Sequence, residues 1–282
     1  SRADFIAGAE LFTLGLFKKL VLGDRSAVYV DPVFREMSAY TGVDITMALV
    51  LYTVQIYGDF SGYTDMGRGA ARMCGITLPK NFSSPYFSRS IRDFWHRWHM
   101  TLGRWFRDYV YISLGGNRRG PLRKFVNLML TMALCGLWHG AAWTFVLWGC
   151  YHGALMVAER VWVRATGWTP PLFIAMPLTL VLVMFGWLLF RAQSLADVGV
   201  YFGKLGLVFS DGLHLNDPSL MSKAVVAFLF VMLIQGIERY HPTVRRWQEA
   251  CPNLIRGTLA GIVVVSAFAI RGDEIPFIYF DF

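Results

Sequence analysis

Residues 125–158 contain no Asp, Glu, Lys or Arg, yet His139 stands inside this run, in Leu137-Trp138-His139-Gly140. An ionisable side chain in such an apolar stretch is costly and defaults to a functional reading. A neutral imidazole there can serve as a general base, taking the proton of a hydroxyl as that hydroxyl attacks a thioester. The competing reading is a structural histidine hydrogen-bonded across helices. His152, in Tyr151-His152-Gly153 of the same run, is expected in a packing or supporting part.

His99 closes Trp95-His96-Arg97-Trp98-His99. His96 and His99 are three apart, which puts them on one face of a helix. No Asp, Glu or Cys stands nearby at ligand spacing, so no metal is expected. A polar interfacial helix with aromatic anchors is the plainer alternative. A third candidate is the Gly-dense stretch 55–69, QIYGDFSGYTDMGRG, within which an apolar span is expected to end, at Gly58. Asp59, Ser61 and Asp65 within it are candidate substrate or donor contacts. Ordinary capping and structural ion pairs explain them equally well. The turn Leu114-Gly115-Gly116-Asn117-Arg118-Arg119-Gly120 could hold a phosphate from coenzyme A or a lipid headgroup, although a positive-inside loop has the same composition. Asn117 and Arg118, with Arg107 and Trp138, complete the set of candidate contacts.

The elements that must position these residues are lipid-embedded helices. Of 282 residues, 55% are hydrophobic and 16% charged, against about 25% charged in a soluble domain; the mean hydropathy is +0.43. Ten Trp, 12 Tyr and 22 Phe fit aromatic belts at the membrane interfaces. The net charge is +8, and residues 68–124 carry 12 Lys/Arg against Asp93 and Asp108 alone. The basic excess is thus one patch between apolar spans. It is expected on the cytoplasmic face, and a soluble nucleic-acid module is excluded. Cys74, Cys135, Cys150 and Cys251 show no metal-like spacing and read as inert thiols.

Spans are expected over 5–22, 45–58, 165–190 (after Pro170 and Pro171), 219–237 and 257–270. The run 125–158 would make one helix about 51 Å long, far more than the hydrocarbon thickness of about 30 Å, so it should break near Gly136–Gly140. Residues 59–124 should hold interfacial or re-entrant helices, and 191–218 reads as a polar loop. His214 and His241 carry no special claim. One catalytic membrane domain over 1–282 is the simplest organisation, with 68–124 as its basic, cytoplasm-facing segment.

The stretch YGDFSGYTDMGRGAARMCGITLPKNFSSPYFSRSIRDFWHRWHMTLGRWFRDYVYISLGGNRRG, together with NLMLTMALCGLWHGAAWTFVLWGCYHG and the final PFIYFDF, resembles the membrane-bound O-acyltransferases, in particular their bacterial alginate O-acetyltransferase group. The resemblance implies an all-α, multi-pass protein of the bacterial inner membrane, with a ring of helices around a funnel thinned at its centre. It implies that His139 of the WHG motif is catalytic, as base or transient acetyl carrier, and that His99 is the second active-site histidine; position 96 varies within the family and is given no role. It further implies an acyl donor from the cytoplasm, such as acetyl-CoA, with no bound cofactor. The acceptor is an exported polysaccharide such as alginate, reached through periplasmic acetyltransferase partner proteins; peptidoglycan, cellulose and teichoic acid are alternative acceptors. Membrane lipid is the other expected partner and nucleic acid is not. Because family members have further N-terminal helices and this chain starts at Ser1, the full-length protein is expected to be longer. An anion-selective transporter or a non-catalytic scaffold are the readings from other classes.

Overall fold

The computed structural model describes residues 1–118, 120–211 and 215–239, and isolated positions between 257 and 269. Regular structure among them is helical throughout. The expected span 257–270, the C-terminal PFIYFDF, His214 and His241 fall outside the described residues, apart from the isolated positions in 257–269. The chain divides into two compact units, one of residues 1–83 with 213–281 and one of residues 84–212.

In the first unit α1 (Arg2–Phe17) runs into a π-helical turn, Lys18–Asp24, and then α2 (Arg25–Arg35). Next comes α3, Gly42–Met73, started by a capping box in which Thr41 and Asp44 bond each other's backbone. Such reciprocal caps satisfy orphan N–H groups at a helix start. The helix does not end at Gly58, as the hydropathy predicts; it continues through the whole Gly-dense stretch. The glycines are spent on close packing. A side chain on Gly62 would meet the Gly15 carbonyl oxygen at 2.6 Å, and one on Gly8 would meet that of Gly69 at 2.7 Å. Small residues let membrane helices approach backbone to backbone, and that packing outweighs the poor helix propensity of glycine. Further along in this unit α10 (Pro218–Arg239) is tied to the start of α3 where the Asn216 N–H donates to Asp44.

The second unit holds short helices followed by long ones. Helices α4 (Ile91–Arg97) and α5 (Met100–Trp105) lead to a π-helical turn at Phe106–Tyr111, as the mixture of aromatic and charged residues predicts for interfacial pieces. The uncharged run forms two helices, α6 (Gly120–His139) and α7 (Trp143–Thr166), with the break just after His139. Gly136 packs against the Phe145 carbonyl and Gly149 against that of Met132, so α6 and α7 make a tight antiparallel hairpin. Pro171 precedes α8 (Leu172–Arg191), consistent with proline's preference for helix starts. Helices α8 and α10 are each long and apolar enough to cross a membrane. The reading of 191–218 as a loop is corrected, because α9 occupies Leu195–Asp211. Its start carries a second capping box, with the Ser194 hydroxyl accepting from the Asp197 N–H and the Asp197 carboxylate accepting from the Ser194 N–H.

Candidate active site

His139 is the last residue of α6. Its ring stands edge-on to Trp148 of α7 (centroids 5.1 Å apart, planes at 89°) and to Phe190 of α8 (5.1 Å, 78°). Trp148 is 1% exposed and Phe190 1%, so these two rings form an unyielding wall. His99 reaches the same place by a different route. Helix α4 stops at Arg97, and His99 takes left-handed backbone angles (φ 43°) before α5 begins. The expectation that His96 and His99 share a helix face is therefore corrected. Left-handed geometry is unfavourable for a residue with a β-carbon. It is held because Trp98 beside it is buried against Phe94 and Trp187. The turn sets the His99 ring against Trp138, 6.3 Å between centroids, and Trp138 in turn lies 4.8 Å from His139. Both imidazoles thus border one indole. Trp138 itself is 54% exposed, which leaves this corner open on one side.

Behind His139 and Trp148 sits His152, one helical turn along α7 and fully buried. It stacks on Phe94 (6.3 Å, 12°) and meets Trp148 edge-on (5.2 Å, 74°). Gly186 of α8 lies so close that a β-carbon there would overlap the His152 Nε2. Neither His152 ring nitrogen has a hydrogen-bond partner among the described residues.

One turn below His139 on the same face of α6, Cys135 opens onto a cavity of about 760 Å³. Its floor includes Trp95, Thr131 and Met132, and five arginines line it: Arg92, Arg104, Arg107, Arg160 and Arg164. Glu159 is the single carboxylate among its lining residues. Arg107 and Asn117, expected as contacts, lie here; Arg118 is exposed and does not line it. Arg107 grips Asp108 through Nε (2.7 Å) and Nη2 (3.1 Å), and this bond holds the Asp108 carboxyl below its ordinary range. Asn117 accepts from the Tyr111 hydroxyl at 2.7 Å. The buried Asn127 side chain donates to the carbonyls of Leu114 and Gly116, pinning the glycine turn onto α6. Arg160 and Arg164 did not emerge from the motifs. Their signal was the i, i+4 pair of arginines after an apolar helix face, which only α7 could aim at the same cavity.

Asp59, Ser61 and Asp65 belong to the first unit, where they sit in α3 beside the π-helical turn. Lys19 pairs with Asp59 (2.6 Å) and Asp24 (2.7 Å). Lys18, 1% exposed, pairs with Asp65 (3.0 Å) and with Glu238 of α10, which also accepts from the Tyr57 hydroxyl at 3.2 Å. Arg68 completes the network on Asp65 at 3.0 Å. Such arrays survive in apolar surroundings only when each charge is matched.

Among the described residues the regular structure is helical, and α8 and α10 are each long and apolar enough to cross a membrane. Family comparison gives the class: the chain belongs to MBOAT, the membrane-bound O-acyltransferase family, whose model matches residues 2–201. It is 35% identical over 304 residues to the probable alginate O-acetylase AlgI of Pseudomonas putida, covering 99% of this chain and 61% of that protein. It is 40% identical over 216 residues to the peptidoglycan O-acetyltransferase of Helicobacter pylori, covering 75% of this chain and 41% of that protein. It is also 33% identical over 160 residues to the teichoic acid D-alanyltransferase of Bacillus subtilis, covering 50% of this chain and 40% of that protein. The chain therefore spans less than two thirds of the length of each of these relatives.

Proposed function

We propose that the chain carries the acyl-transfer centre of a bacterial inner-membrane O-acetyltransferase, which moves acetyl groups from a cytoplasmic thioester toward an exported polysaccharide such as alginate. The observation that carries this reading is the corner where His139 and His99 border Trp138, next to a cavity lined by five arginines. The donor is acetyl-CoA or another acyl thioester. Its phosphates are drawn to the arginines, which act over the length of a screened Coulomb field, while the apolar floor takes its slimmer arm. At the corner, His139 removes the proton of the acceptor hydroxyl as that oxygen bonds to the thioester carbonyl carbon. His99 stabilises the oxyanion that forms. When the tetrahedral adduct collapses, the C–S bond breaks and the proton on His139 goes to the departing thiolate. The acetyl ester then passes to separate periplasmic acetyltransferase proteins.

Within this reading Arg107, Asn117 and Trp138 serve the donor or acceptor, and Arg118 steers from outside the cavity. Asp59 and Asp65 serve the ion-pair network of their own unit, and Ser61 is buried in α3 between them. The names of the relatives support acyl transfer to a cell-envelope polymer, and those from Helicobacter and Bacillus favour a second reading in which peptidoglycan or teichoic acid is the acceptor.

The test is the acetyl content of each envelope polymer in cells carrying the full-length protein as wild type, His139→Ala or His99→Ala at matched membrane levels. Loss with His139→Ala supports the reading, and the polymer that loses acetyl names the acceptor. Unchanged acetylation in both variants overturns it and leaves a transporter or scaffold.

A further inference from the structure

The first unit contains a second cavity, of about 420 Å³, walled by the π-helical turn and α2 on one side, α10 on the other and Leu51 of α3 between them. Two contacts set the register of its walls. The Lys223 ammonium lies 4.0 Å from the centre of the Tyr29 ring, and Phe230 meets Phe17 at 6.0 Å. Helix α10 thus runs antiparallel to the α1–α2 segment, and the seven residues from Lys223 to Phe230 descend about 10 Å.

Along that descent the lining changes character. At the upper level it presents Arg25, Ser26, Ser222 and Lys223. Below them it is apolar, with Val21 and Leu22 facing Val226, Ala227 and Phe230. No carboxylate lines the cavity. Among the described residues, neither Arg25 nor Lys223 lies within ion-pair distance of a carboxylate. Lys223 donates to the Ser219 hydroxyl at 2.7 Å and feels the Asp217 carboxylate through space, without a direct ion pair. This contrasts with Lys18 and Lys19 in the same unit, each matched by two carboxylates. Lys223 stands in the second turn of a helix long and apolar enough to cross a membrane, the depth at which lipid phosphates lie. Val226, one turn further in, is 66% exposed, so the groove is open to the acyl region.

We propose that this cavity is a binding site for an anionic phospholipid. Its phosphate sits against Arg25 and Lys223 with help from the Ser26 and Ser222 hydroxyls, and one acyl chain lies along Val226, Ala227 and Phe230. Arginine and lysine differ in how they hold phosphate, the first as a fork and the second as a point charge, and together they suit a headgroup with one negative charge. The site is independent of the His139 corner and of the reading given to it.

The experiment measures thermal unfolding of the full-length protein, delipidated in neutral detergent, against added phosphatidylglycerol, phosphatidylcholine with the same chains, or glycerol phosphate. Phosphatidylglycerol at about ten times its apparent Kd is expected to raise Tm by about 2 °C, and the other two to leave it unmoved. Arg25→Gln with Lys223→Gln abolishes the phosphatidylglycerol shift; Arg25→Lys with Lys223→Arg keeps most of it. Val226→Trp, which fills the groove and leaves both charges, also abolishes it. An equal response to both lipids, a shift that survives the double glutamine change, or a full shift from glycerol phosphate alone would each overturn the proposal.

Discussion

The Trp148 indole stands perpendicular to the His139 ring at 5.1 Å between centroids, and on its far side meets His152 at 5.2 Å. On the proposed function the His139 imidazole must be held in one orientation, and this edge-on wall removes the rotational freedom it would have at the end of a helix. The arrangement predicts that Trp148→Ala lowers kcat by about 100-fold, the scale of misplacing a catalytic group by about 1 Å, with KM for the donor little changed. Trp148→Phe, which keeps a ring edge, recovers most of the loss. Steady-state kinetics on purified full-length protein, with matched Tm, check this.

The five arginines of the larger cavity face a single carboxylate among its lining residues. Arg160→Gln combined with Arg164→Gln is expected to raise KM for an acyl-CoA about tenfold, worth about 1.4 kcal/mol, and to leave kcat near the wild-type value. Exposed charges are screened by salt, so the gap between wild type and variant should narrow as ionic strength rises. Kinetics at low and high salt would reveal a gap indifferent to salt, which would argue against an electrostatic role.

Lys18 is matched by Asp65 and Glu238 in apolar surroundings. Lys18→Met takes the ammonium from Glu238 and leaves Asp65 on Arg68, and breaking a buried pair from one side costs about 3–5 kcal/mol. The expected result is a sharp drop in Tm and in membrane accumulation. Adding Asp65→Asn and Glu238→Gln to Lys18→Met should restore much of the loss, since the penalty is the uncompensated charge. Tm of the single and triple variants decides between these outcomes.

Gly62 sits where α3 crosses α1, with the Gly15 carbonyl 2.6 Å from where a β-carbon would be. Gly62→Ala is expected to cost about 1–3 kcal/mol through overpacking, despite alanine's better helix propensity. Gly67→Ala in the same helix has open space around it and should be neutral or slightly stabilising. Thermal melts of the two variants make a controlled pair, and equal effects would refute the packing account.

Much of this architecture was legible because its signals are local. The uncharged run had to break because its length exceeds a bilayer, and Gly140 follows the last residue of α6. Pro171 marks the start of α8, and the mixed aromatic and basic stretch yields the short helices α4 and α5. The loop reading of 191–218 failed because it weighed average polarity over the capping pair Ser194 and Asp197. The end placed at Gly58 failed because it followed the uncharged run, which stops before Asp59, a carboxylate that α3 carries paired with Lys19; glycine does not end the helix. In α3 it is a contact surface for α1, and sequence alone does not say which partner a glycine faces.

By itself, then, the sequence determined that the chain is a helical membrane protein, where α6 breaks from α7 and where α8 and α10 lie, and which histidines stand in apolar or aromatic surroundings. Those properties follow from hydropathy, helix length and capping, which act within a few turns. Only the tertiary structure decided that His99 and His139 share the Trp138 indole, that Arg160 and Arg164 join arginines about 60 residues earlier around one cavity, and that Asp65 answers to Lys18. These depend on which helix faces pack together, and packing joins residues far apart in the chain through contacts that no local pattern encodes.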